Sequence, residues 1–264
     1  MLWLYQHPAW VLGLYLLLIL LLFMEAGFRL GLRHGPVAEE TEKTLRGDVT
    51  LSAMLALLGL MLAFTYAFSL SRADLRKQAV VNEANAIGTA FLRADLVAEP
   101  GRSELRQHLL EYARTRVISA EGVDDLEHLR ELIGRSMEAQ SKLWPATKLA
   151  IQGGVSTPME ALLVQSMNAV LDAHTTRIAA GFDHLPAVVL FSLILIAGLS
   201  MAGAGHNAGL RGRMIRWRMI SFALIMVTLI VVIVDFDQPL RGFIQVNNQS
   251  LITVVQDMEA AITD

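Results

Sequence analysis

Four stretches of this chain contain no lysine, arginine, aspartate or glutamate: residues 1–24, 49–71, 184–210 and 219–234. A helix needs about 20 mainly apolar residues to cross a hydrocarbon core about 30 Å thick. The first three stretches meet that length. The fourth has 16 residues, about 24 Å at 1.5 Å per residue. It still reads as a span, because Arg216 and Arg218 can snorkel at one end with Trp217 between them as an interface anchor. Composition agrees. The chain of 264 residues is 54% hydrophobic and 18% charged, against about 45–50% and about 25% in ordinary soluble domains. Disorder, collagen-like structure and coiled-coil rods are excluded.

The N-terminal run lacks the positive n-region and the small-residue cleavage site of a signal peptide. It is expected to stay as the first span. The expected plan is all-α. A transmembrane hairpin over 1–71 holds spans of about 8–28 and 49–71. A helical extramembrane domain follows over 72–183. A second hairpin with a tail, 184–264, holds spans of about 185–206 and 216–236.

The two short loops carry Arg29, Arg33, Lys43, Arg46, Arg211, Arg213, Arg216 and Arg218. The other side offers Arg72, Arg76, Lys77, Arg177 and Arg241 near spans. Positive residues favour the cytoplasmic side. The count, eight against five, puts the short loops inside and the insert with both termini outside. The absence of cysteine excludes disulfides, thiol catalysis and cysteine metal sites. A net charge of −3 gives no case for nucleic-acid binding.

The insert reads as helices between breaks. Span 2 is expected to continue out of the membrane as far as Pro100-Gly101. Ser103 is the expected cap of the next helix, to about 118, and Gly122 breaks again. A third helix has apolar positions Leu126, Leu129, Ile133 and Met137, and Pro145 should kink or end it. Gly153-Gly154 is a turn, and Thr157-Pro158-Met159-Glu160 forms a capping box with Pro at the first helical position. The last helix carries a stripe of Leu163, Met167, Val170, His174 and Ile178 and stops at Gly181.

The continuation of span 2 is the most informative segment. Val80, Ala84, Ile87, Phe91 and Ala94 form an apolar packing seam. Gln78, Asn82, Asn85 and Thr89 form an uncharged polar line that traces back onto Ser71, Phe64 and Leu60. Amides in a line suit water or a partly dehydrated ion, and a hydrophobic ring such as Phe64 can gate a pore by dewetting. The plainer alternative makes the amides buried interhelical hydrogen bonds and Phe64 a core residue. Glu83 is expected either as a functional carboxylate or as half of a salt bridge, with Arg76 or Arg93 from elsewhere in an assembly as partner.

Leu62-Ala63-Phe64, Ser69-Leu70-Ser71-Arg72-Ala73-Asp74-Leu75-Arg76, Glu83-Ala84-Asn85-Ala86-Ile87-Gly88-Thr89-Ala90-Phe91-Leu92-Arg93 and Asp235-Phe236-Asp237-Gln238-Pro239-Leu240-Arg241-Gly242 carry a resemblance. They resemble a bacterial family of four-span membrane proteins called bestrophin-like, over nearly the whole chain. The resemblance implies structural roles for Arg72, Asp74, Glu83, Gly88, Asp235, Asp237 and Pro239. More distantly the plan is similar to bestrophins, pentameric anion channels with a pore lined by the second span and a hydrophobic neck. That likeness implies a homo-oligomeric pore in a bacterial inner membrane, with small inorganic ions as the species handled.

Two departures stand out. Bestrophins keep the insert in the cytosol, whereas the charge count here puts it outside. Animal bestrophins bind calcium through an acidic cluster after span 4. Here only Asp235 and Asp237 stand, and two carboxylates leave most of a shell of 6–8 oxygens unfilled. No metal or cofactor is expected. Asp237 is expected to cap the turn before Pro239.

The small residues of Gly203–Gly209 lack the spacing of a nucleotide loop. They are expected to let helices pack closely at the end of span 3. The seven histidines show no ligand spacing, and His174 is expected as a satisfied interface residue. No catalytic constellation appears, so an enzyme is not expected. The pore residues expected are Phe64, Ser71, Gln78, Asn82, Asn85 and Thr89. The rival reading is a non-conducting membrane sensor or docking protein acting through 72–183.

Overall fold

The structure is a computed structural model and describes residues 9–34, 42–117, 126–238 and 247–263. These form eight α-helices: α1 Ala9–Arg33, α2 Glu42–Ala94, α3 Gly101–Arg116, α4 Leu126–Gln152, α5 Thr157–Phe182, α6 Ala187–Leu210, α7 Arg216–Asp237 and α8 Gln249–Thr263. There is no strand among the described residues. Four helices are long and apolar enough to cross a membrane. The fold is therefore all-α with four spanning helices, as the uncharged runs predict. Pro239 and the expected break at Gly122 lie outside the described residues.

Contacts divide the chain into two units. The first comprises Met1–Ser71, His184–Gln238 and Gly242–Ile244. Its core joins Leu12, Leu16, Leu20 and Met24 of α1, Leu58 and Leu62 of α2, Leu193, Ala197 and Met201 of α6, and Met226, Ile230 and Ile233 of α7. The four-residue steps along α1 put one stripe against α6 and α7. Glycine sets how close α1 and α6 come. A Cβ on Gly27 would fall onto the Ala202 carbonyl, and one on Gly205 onto the Met24 carbonyl. Between spanning helices, such backbone approach supplies dispersion that lipid cannot match. The expected close packing by the 203–209 segment is present. Ser69 Oγ donates to the Ile233 carbonyl at 3.2 Å, tying α2 to α7.

The second unit comprises Arg72–Asp183, Pro239–Arg241 and Gln245–Asp264. The seam Val80, Ala84, Ile87, Phe91 and Ala94 is buried against Leu105 and Leu109 of α3, Leu143 of α4 and Leu163 and Met167 of α5. The tail also contributes. Its residues form α8, whose Leu251 and Met258 enter this core.

Several local expectations are corrected. Ser103 lies inside α3 and is not its cap. Its N–H donates to Glu99 Oε2 at 3.2 Å, so Glu99 serves the exposed helix start and Pro100 occupies the cap position. Helix α5 starts one residue earlier in register than the capping box implies. Ser156 is its N-cap, without a side-chain bond, and its carbonyl takes the Glu160 N–H at 2.9 Å. Pro145 does not end α4, which runs on to Gln152. Proline removes one backbone bond, and burial of Leu143, Ala146 and Thr147 around it holds the helix together. The buried face of α4 runs through Ser136, Ala139, Leu143 and Ala150, so Met137 is exposed. Ser136 takes the buried place because its hydroxyl accepts from Arg116 Nη1 at 3.2 Å.

Candidate functional site

Helix α2 has 53 residues, about 80 Å at 1.5 Å per residue. Beyond its apolar stretch it runs without Gly or Pro as far as Gly88. One line of it is bare along its length, although in the apolar stretch most other positions are exposed as well. Leu57, Leu60, Phe64, Phe68, Ser71, Leu75, Gln78, Asn82, Asn85, Thr89 and Leu92 are all exposed. They recur at steps of three and four, so they share one face. Phe64 is 68% exposed. Within one protomer, then, neither Phe64 nor the amides are buried. The opposite face carries the buried seam. Asp74 is exposed beside the line.

Glu83 sits on the buried side, with no exposed surface. Its Oε1 accepts from Tyr112 Oη at 2.6 Å and from Arg116 Nε at 2.7 Å. Its Oε2 accepts from Arg177 Nη1 at 2.7 Å. Arg177 also donates to the Arg116 carbonyl at 3.1 Å and to Asn248 Oδ1 at 3.2 Å. The expected partners Arg76 and Arg93 are thus corrected to Arg116 and Arg177. Geometry explains why. Arg76 is spent on the C-terminal end of α5, donating to the Ala180 carbonyl at 3.0 Å and the Asp183 carbonyl at 2.5 Å, where a cation meets the helix dipole favourably. Arg72 lies 3.1 Å from Asp183 Oδ1. Arg93 donates to the Leu162 carbonyl at 2.9 Å.

Burial alone would raise the Glu83 carboxyl. The Arg116 and Arg177 charges outweigh it and hold the group below its ordinary value. His174 Nδ1 lies 3.0 Å from Tyr112 Oη. Since the tyrosine proton goes to Glu83, Nδ1–H donates to the phenol oxygen. Burial, and then the Arg116 charge, lower the His174 pKa and keep it neutral at pH 7. Burial, and then the Glu83 charge, push the Tyr112 phenol up. One carboxylate faces two guanidiniums, so the cluster is a structural clasp joining α2, α3, α5 and the residue before α8. Arg116, Arg177 and Tyr112 escaped the sequence reading. Arg177 lies one turn beyond His174 on the buried stripe of α5, and that spacing is the signal that could have found it.

A Cβ on Gly88 would meet only the Val254 methyls, at 3.9 Å or more, so no close approach requires glycine there. Asp237 is buried and acts across the chain. Its Oδ1 accepts the Leu185 N–H at 2.9 Å, and His184 Nδ1 lies 3.6 Å from Oδ2. It therefore holds the segment that enters α6; the expected cap of the turn before Pro239 falls on residues outside the described ones. The Leu185 N–H, just before α6, is a donor with no helical carbonyl to meet. Asp235 is buried too. No group of three or more metal-ligating side chains occurs among the described residues.

These features define an integral membrane protein of four spanning helices whose long second helix presents one uncovered face. The Bestrophin-like domain matches residues 19–251, and the chain belongs to the bestrophin-like family. Two solved structures share the fold. A bacterial bestrophin homolog from Klebsiella pneumoniae, solved as a point mutant, has a TM-score of 0.66 at 10% identity, covering 95% of this chain and 98% of its own. A point-mutant membrane protein has a TM-score of 0.65 at 11% identity, covering 96% and 99%. No curated protein matches the chain in sequence.

Proposed function

We propose that this protein is one subunit of a homo-oligomeric membrane pore lined by α2, conducting small inorganic anions. The observation that carries the reading is the continuous exposed line from Leu57 to Leu92, in which the apolar part holds Phe64 and the remainder holds Gln78, Asn82, Asn85 and Thr89. One protomer of four spanning helices has no room for a lumen, so a pore needs several copies of α2 around an axis. In that arrangement Phe64 forms a hydrophobic neck that gates by dewetting. Ser71 and the amides line the wet part. Amide N–H groups and hydroxyls offer an anion donors without a fixed charge that would trap it. The resemblance to bestrophins supports a pentamer, and the arginine-rich short loops support a cytoplasmic-side placement for them in a bacterial inner membrane.

Purified protein in liposomes tests this. Chloride or nitrate flux is expected, together with a mass in mild detergent several times that of one chain. A strictly monomeric protein, or no ion flux across a range of pH, contradicts it. In that case the non-conducting sensor or docking reading for 72–183 takes its place.

A further inference from the structure

Between Ser71 and Leu92 the exposed positions of α2 carry two charges, Asp74 and Lys77. Every other exposed side chain there is apolar, an amide or a hydroxyl. The two charges are placed differently. Asp74 stands four residues before Gln78, and Gln78 four before Asn82, so the Asp74 carboxylate flanks the amide line. Lys77 is turned about 100° from Gln78 around the helix axis and lies off that line.

Asp74 is also unspent. It makes no hydrogen bond or ion pair among the described residues. The arginines nearest to it in sequence are engaged elsewhere. Arg72 lies 3.1 Å from Asp183 Oδ1, and Arg76 donates to the Ala180 carbonyl at 3.0 Å. The structural role that the resemblance implies for Asp74 therefore has no contact to support it among the described residues.

A free carboxylate beside an uncharged polar line acts on any ion that moves along it. Several copies of α2 around an axis bring one such carboxylate each to the same level. Like charges lining one passage sum their fields and enrich counter-ions there. Rings of Asp or Glu are a device by which pores admit cations. Gln78, Asn82 and Asn85 carry carbonyl acceptors as well as N–H donors, so the line solvates either sign.

We propose that Asp74 is the selectivity-determining residue of the α2 path, which passes small monovalent cations as well as anions in a ratio that this carboxylate sets. The proposal rests on the reading of α2 as a pore wall and adds to it the class of ion handled.

The test uses the full chain in planar bilayers under a potassium chloride gradient, with the zero-current voltage giving the chloride-to-potassium permeability ratio. Asp74→Asn is expected to raise that ratio about threefold or more. Asp74→Glu, which keeps the charge, should keep the parent's ratio. Lys77→Gln, off the line, should move it less than Asp74→Asn does. The parent protein gives a reading that no variant's folding can obscure. Its cation share should fall as salt rises from about 0.1 M to about 1 M, because the screening length shrinks from about 10 Å to about 3 Å. Current with an unchanged ratio in Asp74→Asn overturns the proposal and leaves the pore standing. So does a rise in Asp74→Glu equal to that in Asp74→Asn, a change as large in Lys77→Gln, or a parent ratio indifferent to salt. Absence of current in every preparation overturns the pore reading and the selectivity role with it.

Discussion

Arg116 Nε lies 2.7 Å from Glu83 Oε1, with the two side chains 1% and 0% exposed. This buried pair joins α2 to α3, and Arg177 completes it from α5. Removing one member of such a pair leaves an uncompensated buried charge, at a cost of about 3–5 kcal/mol. Glu83→Gln is expected to lower stability on that scale, read as a fall in Tm of the purified protein. Glu99→Gln, at an exposed carboxylate whose pKa is lowered first by its Arg102 bond, should change Tm little. Equal effects would contradict the clasp.

The clasp also sets a pH dependence. His174 is held below its ordinary value of 6.5 by burial and by Arg116. As pH falls below that value, the unfolded chain binds a proton that the folded protein refuses, so stability declines with falling pH. Glu83 is held below its ordinary 4.5. Its contribution is present above that value and is lost as pH falls through the lower folded pKa. Thermal melts from pH 8 to about pH 3 should therefore show a first decline below about 6.5. His174→Gln should flatten that step and leave the more acidic one. A profile identical to the parent's would remove His174 from the account.

Gly88 fits no close approach, and glycine inside a helix costs about 0.5–1 kcal/mol relative to alanine. Gly88→Ala should raise Tm. Gly205→Ala is expected to do the reverse, because its Cβ would land on the Met24 carbonyl. Opposite signs at two helical glycines, read by thermal melts, check both packing statements.

Orientation can be read without background labelling, since the chain has no cysteine. In intact cells, a membrane-impermeant thiol reagent should label Ala120→Cys and leave Leu210→Cys untouched. The opposite pattern would place the arginine-rich short loops outside.

The spans were legible because a charge in hydrocarbon is costly, so its exclusion writes each span into the chain directly. The two faces of α2 were legible because helical spacing is local. The partners of Glu83 were not, since Arg116 and Arg177 lie 33 and 94 residues away and no local pattern couples them. Arg76 and Arg93, expected as partners from another copy in an assembly, each answer instead to carbonyls of α5. The role of Asp237 escaped for the same reason, its partner being 52 residues away. Helix α8 carries a local signal of its own that the sequence reading does not use, Leu251, Val254, Val255 and Met258 recurring at steps of three and four.

The central claim is that the exposed line of α2 faces a conducting path. The direct measurement is chloride flux through liposomes holding Asn82→Cys protein, before and after a charged, water-soluble thiol reagent. The account predicts flux before treatment, a marked change in it afterwards, and no response in the cysteine-free parent. Absence of flux throughout, or complete modification of the cysteine with flux unaltered, would contradict it.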